Sequence, residues 1–468
     1  MRLTSLPLFA VLLAGCASTP GADSSAAIPV DLIVYGDHVL TMAEVGLIPD
    51  GAVAIDDGRI VAVDRATTIN RKYRAARTIA GDNKVVLPGL VNGHTHAAMS
   101  LLRGIADDLA LIDWLENYIF PAEVALVDAD FVRVGTELAC WEMIRGGTTA
   151  FVDMYYFPES VARAVEQCGL RAVIAPTVID QRSPDASDGV QSLEVARQFA
   201  EQWQGRNPRI TPCVGAHAIY SLPQQALERV RDVAAEYGTP VCIHLSESNY
   251  EVQFARDNYQ SSSTELLEKI GLFDNHVIGA HVVWPSDTDI ATLARQQAGV
   301  IHNPTSNMKI ASGVAPIPAM LAAGVPVGLG TDGAASNNDL DMWEEIRLAA
   351  FLHKVSQMDP TVLPAMTVLE MATWRGADAI GLGGEIGRLK AGMAADLIQV
   401  DLDDLTLFPV YDIASHLAYV TDEHDVTTVI VEGRVLMQDR EVLTIDESRL
   451  RREAAGFAGR IRDRLFPQ

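Results

Sequence analysis

Short runs rich in apolar residues alternate with helix-like stretches through the middle of the chain. Val85–Val91, Thr148–Met154, Ala172–Ile179, Ile210–Ala216, Pro240–His244, His276–His281, Gly299–His302 and Val325–Gly330 are each followed by a segment of helical periodicity. Continuous apolar runs of this length suit strands buried on both faces, as in a parallel sheet wrapped by helices. Eight such units over about 300 residues predict an α/β fold, a (β/α)8 TIM-like barrel over residues 88–387. The flanks alternate polar and apolar positions instead, with turn signals at Asp56-Asp57-Gly58 and Glu432-Gly433. They predict a small β-sandwich domain formed by both chain ends, residues 29–87 and 388–446, with the barrel inserted between them. Residues 447–468 carry a charged amphipathic pattern and predict a surface helix.

The first residues follow another pattern. Arg2, an apolar run from Leu6 to Ala14, and then Gly15-Cys16 read as a secretory signal, too short and wrongly flanked for a membrane span. Leu13-Ala14-Gly15-Cys16 resembles the bacterial lipobox, in which the cysteine is lipidated and becomes the first mature residue. The expected division is a signal peptide over 1–15 and a lipidated tether over 16–28, anchored through Cys16. An exported lipoprotein on the periplasmic side is therefore expected, and Ala17 behind the cysteine points to the outer membrane.

Composition narrows the partners. The formal charge of -25 is spread along the chain and excludes nucleic acid, which needs a basic face. No later stretch is long and uncharged enough to span a bilayer, so membrane contact is expected only through the lipid anchor. Self-association into a homo-oligomer stays open. Cys140, Cys168, Cys213 and Cys242 show no CxxC spacing. They are expected as buried free thiols, because a core of this size needs no staple.

The histidines carry the chemical signal. His94 with His96, His217, His244 and His281 terminate predicted strands or follow them closely, His302 ends another, and Asp332 follows the last. In a (β/α)8 barrel those ends form the face that holds the active site. His38, His353, His416 and His424 fall elsewhere, as background. His94 and His96, at i and i+2, project to one side of an extended strand and can share one ion. A lone HxH is weak; His244, His281 and Asp332 at corresponding strand ends strengthen it. Three imidazoles and a carboxylate suit zinc, and would equally accept iron or manganese. Glu247, three residues past His244, could be lifted over the metal to shuttle a proton. No lysine ends a predicted barrel strand, which favours one metal over a lysine-bridged pair.

The segments PGLVNGHTHAAMSLLRG (88–104), DDL…DWL (107–115), FVDMYY (151–156), GAH (215–217), IHLSE (243–247), HNPTSNMKIASG (302–313), GTDGAASNNDLDMWEEIR (330–347) and GRLKAGMAADLIQVDL (387–402) resemble the amidohydrolase superfamily. Within it they are similar to the branch of 5-methylthioadenosine/S-adenosylhomocysteine deaminases and related adenosine-type deaminases, from Asp31 to Asp446. The resemblance implies that His94, His96, His244 and Asp332 hold one zinc. It implies that Asp332 takes a proton from the attacking water, that Glu247 protonates the ring nitrogen, and that His281 stabilises the oxyanion. Glu123 matches a glutamate that binds ribose hydroxyls, and His217 a histidine at the substrate end of the pocket. The implied reaction is metal-dependent hydrolysis of an adenosine-type nucleoside to its inosine counterpart and ammonia. One departure bears on substrate. Members that accept S-adenosylhomocysteine carry an arginine where this chain has Pro176, and a second arginine has no match beyond the neighbouring Arg182. A carboxylate substrate would lose a bidentate partner, so 5'-methylthioadenosine or adenosine is expected ahead of S-adenosylhomocysteine.

Two rivals stand beside this expectation. An aminohydrolase or chlorohydrolase of guanine, 8-oxoguanine, a pterin or a triazine would share the metal set. A non-catalytic nucleoside-binding lipoprotein would be expected to lack a ligand or Glu247, and none is missing.

Overall fold

The computed structural model describes residues 27–466. The expected signal peptide and the lipidation site Cys16 lie outside the described residues.

The apolar runs become eight parallel strands in sequential order. They are β1 (Leu90–Thr95), β2 (Thr148–Tyr155), β3 (Arg171–Val178), β4 (Val214–Ala216), β5 (Val241–Leu245), β6 (Val277–His281), β7 (Gly299–His302) and β8 (Val327–Leu329). The ladder stops short between β8 and β1. There the Asp332 amide donates to the His94 carbonyl at 2.9 Å, and Asn92 exchanges two hydrogen bonds with Thr331, at 2.8 and 3.0 Å. The result is a nearly closed barrel. Its interior is filled by side chains such as Val91, Val152, Val173, Cys213, Cys242, Ile278 and Ile301, a packed apolar floor beneath the strand ends.

Three strands differ from expectation. Val85–Val91 breaks at Gly89, where an added Cβ would stand 2.0 Å from Thr149 Oγ1. Lys84–Pro88 joins the terminal sheet, and the barrel strand begins at Leu90, so His94 lies within β1 and His96 just beyond it. Ile210–Ala216 divides at Cys213 into Ile210–Pro212 and β4, both pairing with β3. The last strand is reduced to Val327–Leu329.

Both chain ends build a separate nine-stranded sheet. Leu397–Asp401 runs antiparallel to Lys84–Pro88, with Leu397 opposite Pro88 and Asp401 opposite Lys84. That pairing joins the two ends into one continuous hydrogen-bonded sheet. It is tied to the barrel by a buried bidentate pair. Arg171 Nε and Nη2 donate to Asp396 Oδ2 and Oδ1 at 2.9 and 3.3 Å. The helix Glu447–Leu465 buries Leu450, Phe457 and Ile461, with Phe457 edge-on to Phe131 at 5.5 Å.

The four cysteines are free and buried, as expected. They stand in two pairs, with Sγ–Sγ separations of 2.9 Å for Cys140 and Cys168 and 3.0 Å for Cys213 and Cys242.

The segment after β1 shapes the mouth of the barrel. Leu111–Trp114, a π-helical turn over Leu115–Ile119 and the helix Phe120–Leu126 form one broken helix. The wider turn is a local irregularity often found at functional sites. Here it delivers Trp114, Phe120 and Glu123 to the cavity.

Candidate functional site

His94 is buried within β1, and its Nε2 has no hydrogen-bonding partner. His96 Nδ1 donates to the Met154 carbonyl at 2.6 Å, and His244 Nδ1 donates to the His217 carbonyl at 2.7 Å. Each bond commits Nδ1 as donor and turns the lone pair of Nε2 inward, as metal-binding imidazoles require. Asp332 Oδ1 lies 3.4 Å from His94 Nε2 and 3.2 Å from His96 Nε2. His244 Nε2 lies 3.4 Å from His96 Nε2. Donors placed tetrahedrally at roughly 2.0–2.2 Å from one ion stand about 3.4 Å apart. Three of the six separations within the expected set His94, His96, His244 and Asp332 thus match single-ion spacing. Two overlapping triads, His94 with His96 and His244, and His94 with His281 and Asp332, have all their donor atoms within 4.8 Å of one another.

The electrostatics favour a cation at that point. Burial holds His94 down at about 4, against the attraction of Asp332. It also holds His244 well below the usual histidine value, helped by the neighbouring imidazoles. For His96 burial is outweighed by the hydrogen bond and charge of Asp332, the Met154 carbonyl and Asp153, which raise it to about 9. Burial opposes the Asp332 charge, yet the attraction of the His94 and His96 imidazoles holds it well below the carboxylate range. A carboxylate that draws a proton onto a neighbouring buried imidazole would be served better by a divalent ion.

Asp332 is held on its other side. Ser306 and Ser336 donate their hydroxyls to Oδ2 at 2.7 and 2.9 Å, and the Gly333 amide donates to Oδ1 at 2.8 Å. His281 Nδ1 donates to Asn307 Oδ1 at 2.8 Å. Its Nε2 faces Glu247 Oε1 and Asp332 Oδ2, each at 3.9 Å. Glu247 is buried, and burial raises its carboxyl to about 7. Ser246, His281 and Asp332 all adopt positive φ, at 49°, 73° and 66°. Non-glycine residues take that conformation at a cost, and they concentrate where function over-determines the backbone.

Above this cluster opens a cavity lined by His96, Glu123, His217, Glu247, His281 and Asp332, a concave site with convergent polar groups of the kind that binds small ligands. Glu123 is buried in its wall, with Oε1 unpartnered and Oε2 3.4 Å from the Tyr156 hydroxyl. Burial raises this carboxyl to about 7. Tyr155, beside it, also has a buried hydroxyl without a partner. His217 bonds Ser221 Oγ at 2.7 Å through Nδ1, lies between Phe120 and Tyr220, and is held down at about 3 by burial. Among the described residues no lysine or arginine lines the cavity. Arg182 is exposed and outside it.

Every expected site residue within the described chain reaches this one face. His302 does not line the cavity. It is buried against His353, Nε2 to Nε2 at 3.3 Å, so a histidine counted as background is its partner. Sequence reasoning missed Asp153, whose Oδ1 accepts the Ala97 amide at 2.6 Å and fixes the turn after His96. It also missed Ser306, Ser336 and Glu251. Only Glu251 had a local signal, because Ser248 followed by Glu251 is a helix-start pattern.

Comparison with known proteins gives concordant matches. A model of the amidohydrolase family matches residues 85–436. The 5-methylthioadenosine/S-adenosylhomocysteine deaminase 1 of Syntrophus aciditrophicus is 41% identical over 437 residues, 93% of this chain and 98% of its own. A 5'-deoxyadenosine deaminase of Methanosarcina acetivorans is 46% identical over 426 residues, 91% of this chain and 96% of its own. The crystal structure of a zinc-bound adenosine deaminase from Xanthomonas campestris superposes with a TM-score of 0.91 at 37% identity. That match covers 93% of this chain and 100% of the other.

Proposed function

Because the chain belongs to the amidohydrolase family, we propose that it hydrolytically deaminates an adenosine-type nucleoside, yielding the inosine counterpart and ammonia. The observation that carries this reading is the convergence of three imidazoles and Asp332 at single-ion spacing, with Glu247 and His281 on the cavity side of them. His94, His96, His244 and Asp332 would hold one zinc ion, and the unpartnered His94 Nε2 fits that assignment. When bound, such an ion lowers the pKa of a coordinated water towards neutrality.

The protein's own groups supply the proton transfers. Glu247, with its carboxyl raised to about 7 by burial, is poised to give a proton to N1 of the purine near neutral pH. Asp332 takes the proton of the attacking water, its orientation set by Ser306 and Ser336. His281, held through Nδ1 by Asn307, presents Nε2 to the oxygen that develops charge at C6. The free lone pairs of Glu123 Oε1 suit the ribose hydroxyls, and His217 stands in the substrate end of the pocket.

The preferred substrate has an uncharged 5' end. Among the described residues no lysine or arginine lines the cavity beside Glu123 and Glu247, so an amino-acid carboxylate finds no guanidinium or ammonium partner there. 5'-Methylthioadenosine or adenosine is therefore favoured over S-adenosylhomocysteine, and a ribose-reading Glu123 favours a nucleoside over a free base or a triazine. Steady-state deamination of the three nucleosides tests this. Higher kcat/KM for S-adenosylhomocysteine, or activity on free bases alone, would overturn it. The Leu13–Cys16 segment supports export with lipidation of Cys16, and Ala17 behind it supports an outer-membrane position.

A further inference from the structure

We infer that Glu251 is a positioning residue for Glu247, a buried carboxylate that clamps the two backbone amides from which the Glu247 side chain is hung. The inference rests on the reading of Glu247 as the proton-transfer group. Glu251 is 0% exposed. Its Oε1 accepts the Ser246 amide at 2.8 Å and the Ser263 hydroxyl at 2.6 Å. Its Oε2 accepts the Glu247 amide at 3.0 Å.

Capping the helix Asn249–Tyr259 does not account for this carboxylate. Ser248 is the N-cap, and its hydroxyl already accepts the Glu251 amide. The Glu251 side chain instead reaches out of the helix, to two residues that precede the cap. Among the described residues no lysine or arginine bonds it, and its partners there are two amides and one hydroxyl. A fully buried carboxylate without a cation is costly, and a residue that only filled space would do without the charge.

What it holds is a strained peptide. Ser246 sits at φ 49°, a left-handed conformation that is unfavourable for a residue with a β-carbon. Glu251 takes the Ser246 N–H. The amides of Val283 and Trp284, from the loop after β6, donate to the Ser246 carbonyl at 3.0 and 2.9 Å. With both ends fixed, the turn leaving β5 projects Glu247 to within 3.9 Å of His281 Nε2. A small rotation of this peptide would carry the carboxyl away from the substrate ring, and misplacement of about 1 Å costs roughly a hundredfold in rate.

The test is steady-state deamination of 5'-methylthioadenosine with zinc content and melting temperature measured alongside. Glu251→Gln keeps the shape but loses one acceptor. It is expected to lower kcat about a hundredfold, with KM and zinc stoichiometry essentially unchanged. Placed on Glu247→Gln, it is expected to change the residual rate by less than about threefold, because its effect passes through Glu247. A wild-type kcat in Glu251→Gln overturns the inference. So does a loss of kcat matched by lost zinc or lost stability, or a full additional loss on top of Glu247→Gln. Where Glu251→Gln does not fold, Glu251→Asp retains the charge and retracts the acceptors; lower kcat at unchanged KM supports the role, and unchanged kcat overturns it. Glu247→Gln with a wild-type rate would instead defeat the reading of Glu247 itself, and this inference with it.

Discussion

The Ser306 hydroxyl donates to Asp332 Oδ2 across 2.7 Å, linking the short helix Pro304–Lys309 after β7 to the residue that closes the barrel after β8. Ser336 adds a second donor to the same oxygen, which leaves Oδ1 facing His94 and His96. Ser306→Ala is expected to lower kcat about tenfold and to weaken metal retention, as loss of a bond to a metal-binding group does. Kinetics and chelator competition read both effects. Wild-type values for the two would reduce the serines to packing.

Glu247→Gln should leave metal content intact and lower kcat by roughly 10²–10⁴-fold to a small residual rate, because an amide cannot give up a proton to the purine. Metal analysis beside an ammonia-release assay checks it. Near wild-type deamination by this variant would show that the proton comes from elsewhere.

Removing the metal should abolish activity and lower the melting temperature, with both recovered on adding zinc. A ligand at about a hundred times its dissociation constant stabilises the folded state by roughly 2.7 kcal/mol. His94→Ala should lose metal and be insensitive to chelator. Activity that survives exhaustive chelation would contradict the assignment.

The Arg171–Asp396 pair is 5% and 1% exposed, and Asp396 also accepts the Glu432 amide at 2.8 Å. Arg171→Met would leave that carboxylate buried without its cation. A destabilisation of roughly 3–5 kcal/mol is expected in chemical denaturation. A loss under about 1 kcal/mol would mean that water or another cation takes the place of arginine.

Asp341 caps the helix Met342–Gln357 by accepting the Trp343 amide at 2.9 Å, and burial raises its carboxyl to about 7. The folded chain thus holds a proton that the unfolded chain sheds near 4. The stability this contributes is present below that lower value and is lost as pH rises through about 7. Asparagine caps equally well and does not ionise. The melting temperature of Asp341→Asn relative to wild type is therefore expected to be higher at pH 8 than at pH 5. Equal differences at the two pH values would rule out Asp341 as a source of alkaline destabilisation.

Much of the site was legible because a parallel barrel gathers its strand ends. His94, His96, His217, His244, His281 and Asp332 follow apolar runs, and side-by-side packing of those runs brings them to one face whatever the loops do. Glu247 was legible through its place beside His244. The terminal sheet was legible in its alternation, and the helix Glu447–Leu465 in its amphipathic period. The division of Val85–Val91 was not, because an unbroken apolar run does not reveal that its two halves pair with Leu397–Asp401 and with β2.

Residue order alone determined which donors exist and, through their place after apolar runs, that they share an end of the barrel. Only the folded chain decided how they face one another. The bond from Ser306 to Asp332, the reach of Glu251 back to Ser246 and the pairing of His302 with His353 join segments distant along the chain or depend on side-chain direction. The positive φ of Ser246, His281 and Asp332 likewise could not be read from residue type, although aspartate and histidine tolerate it better than most residues. Patterns of residue type encode local periodicity, whereas ångström-scale placement arises from the simultaneous closure of many such contacts.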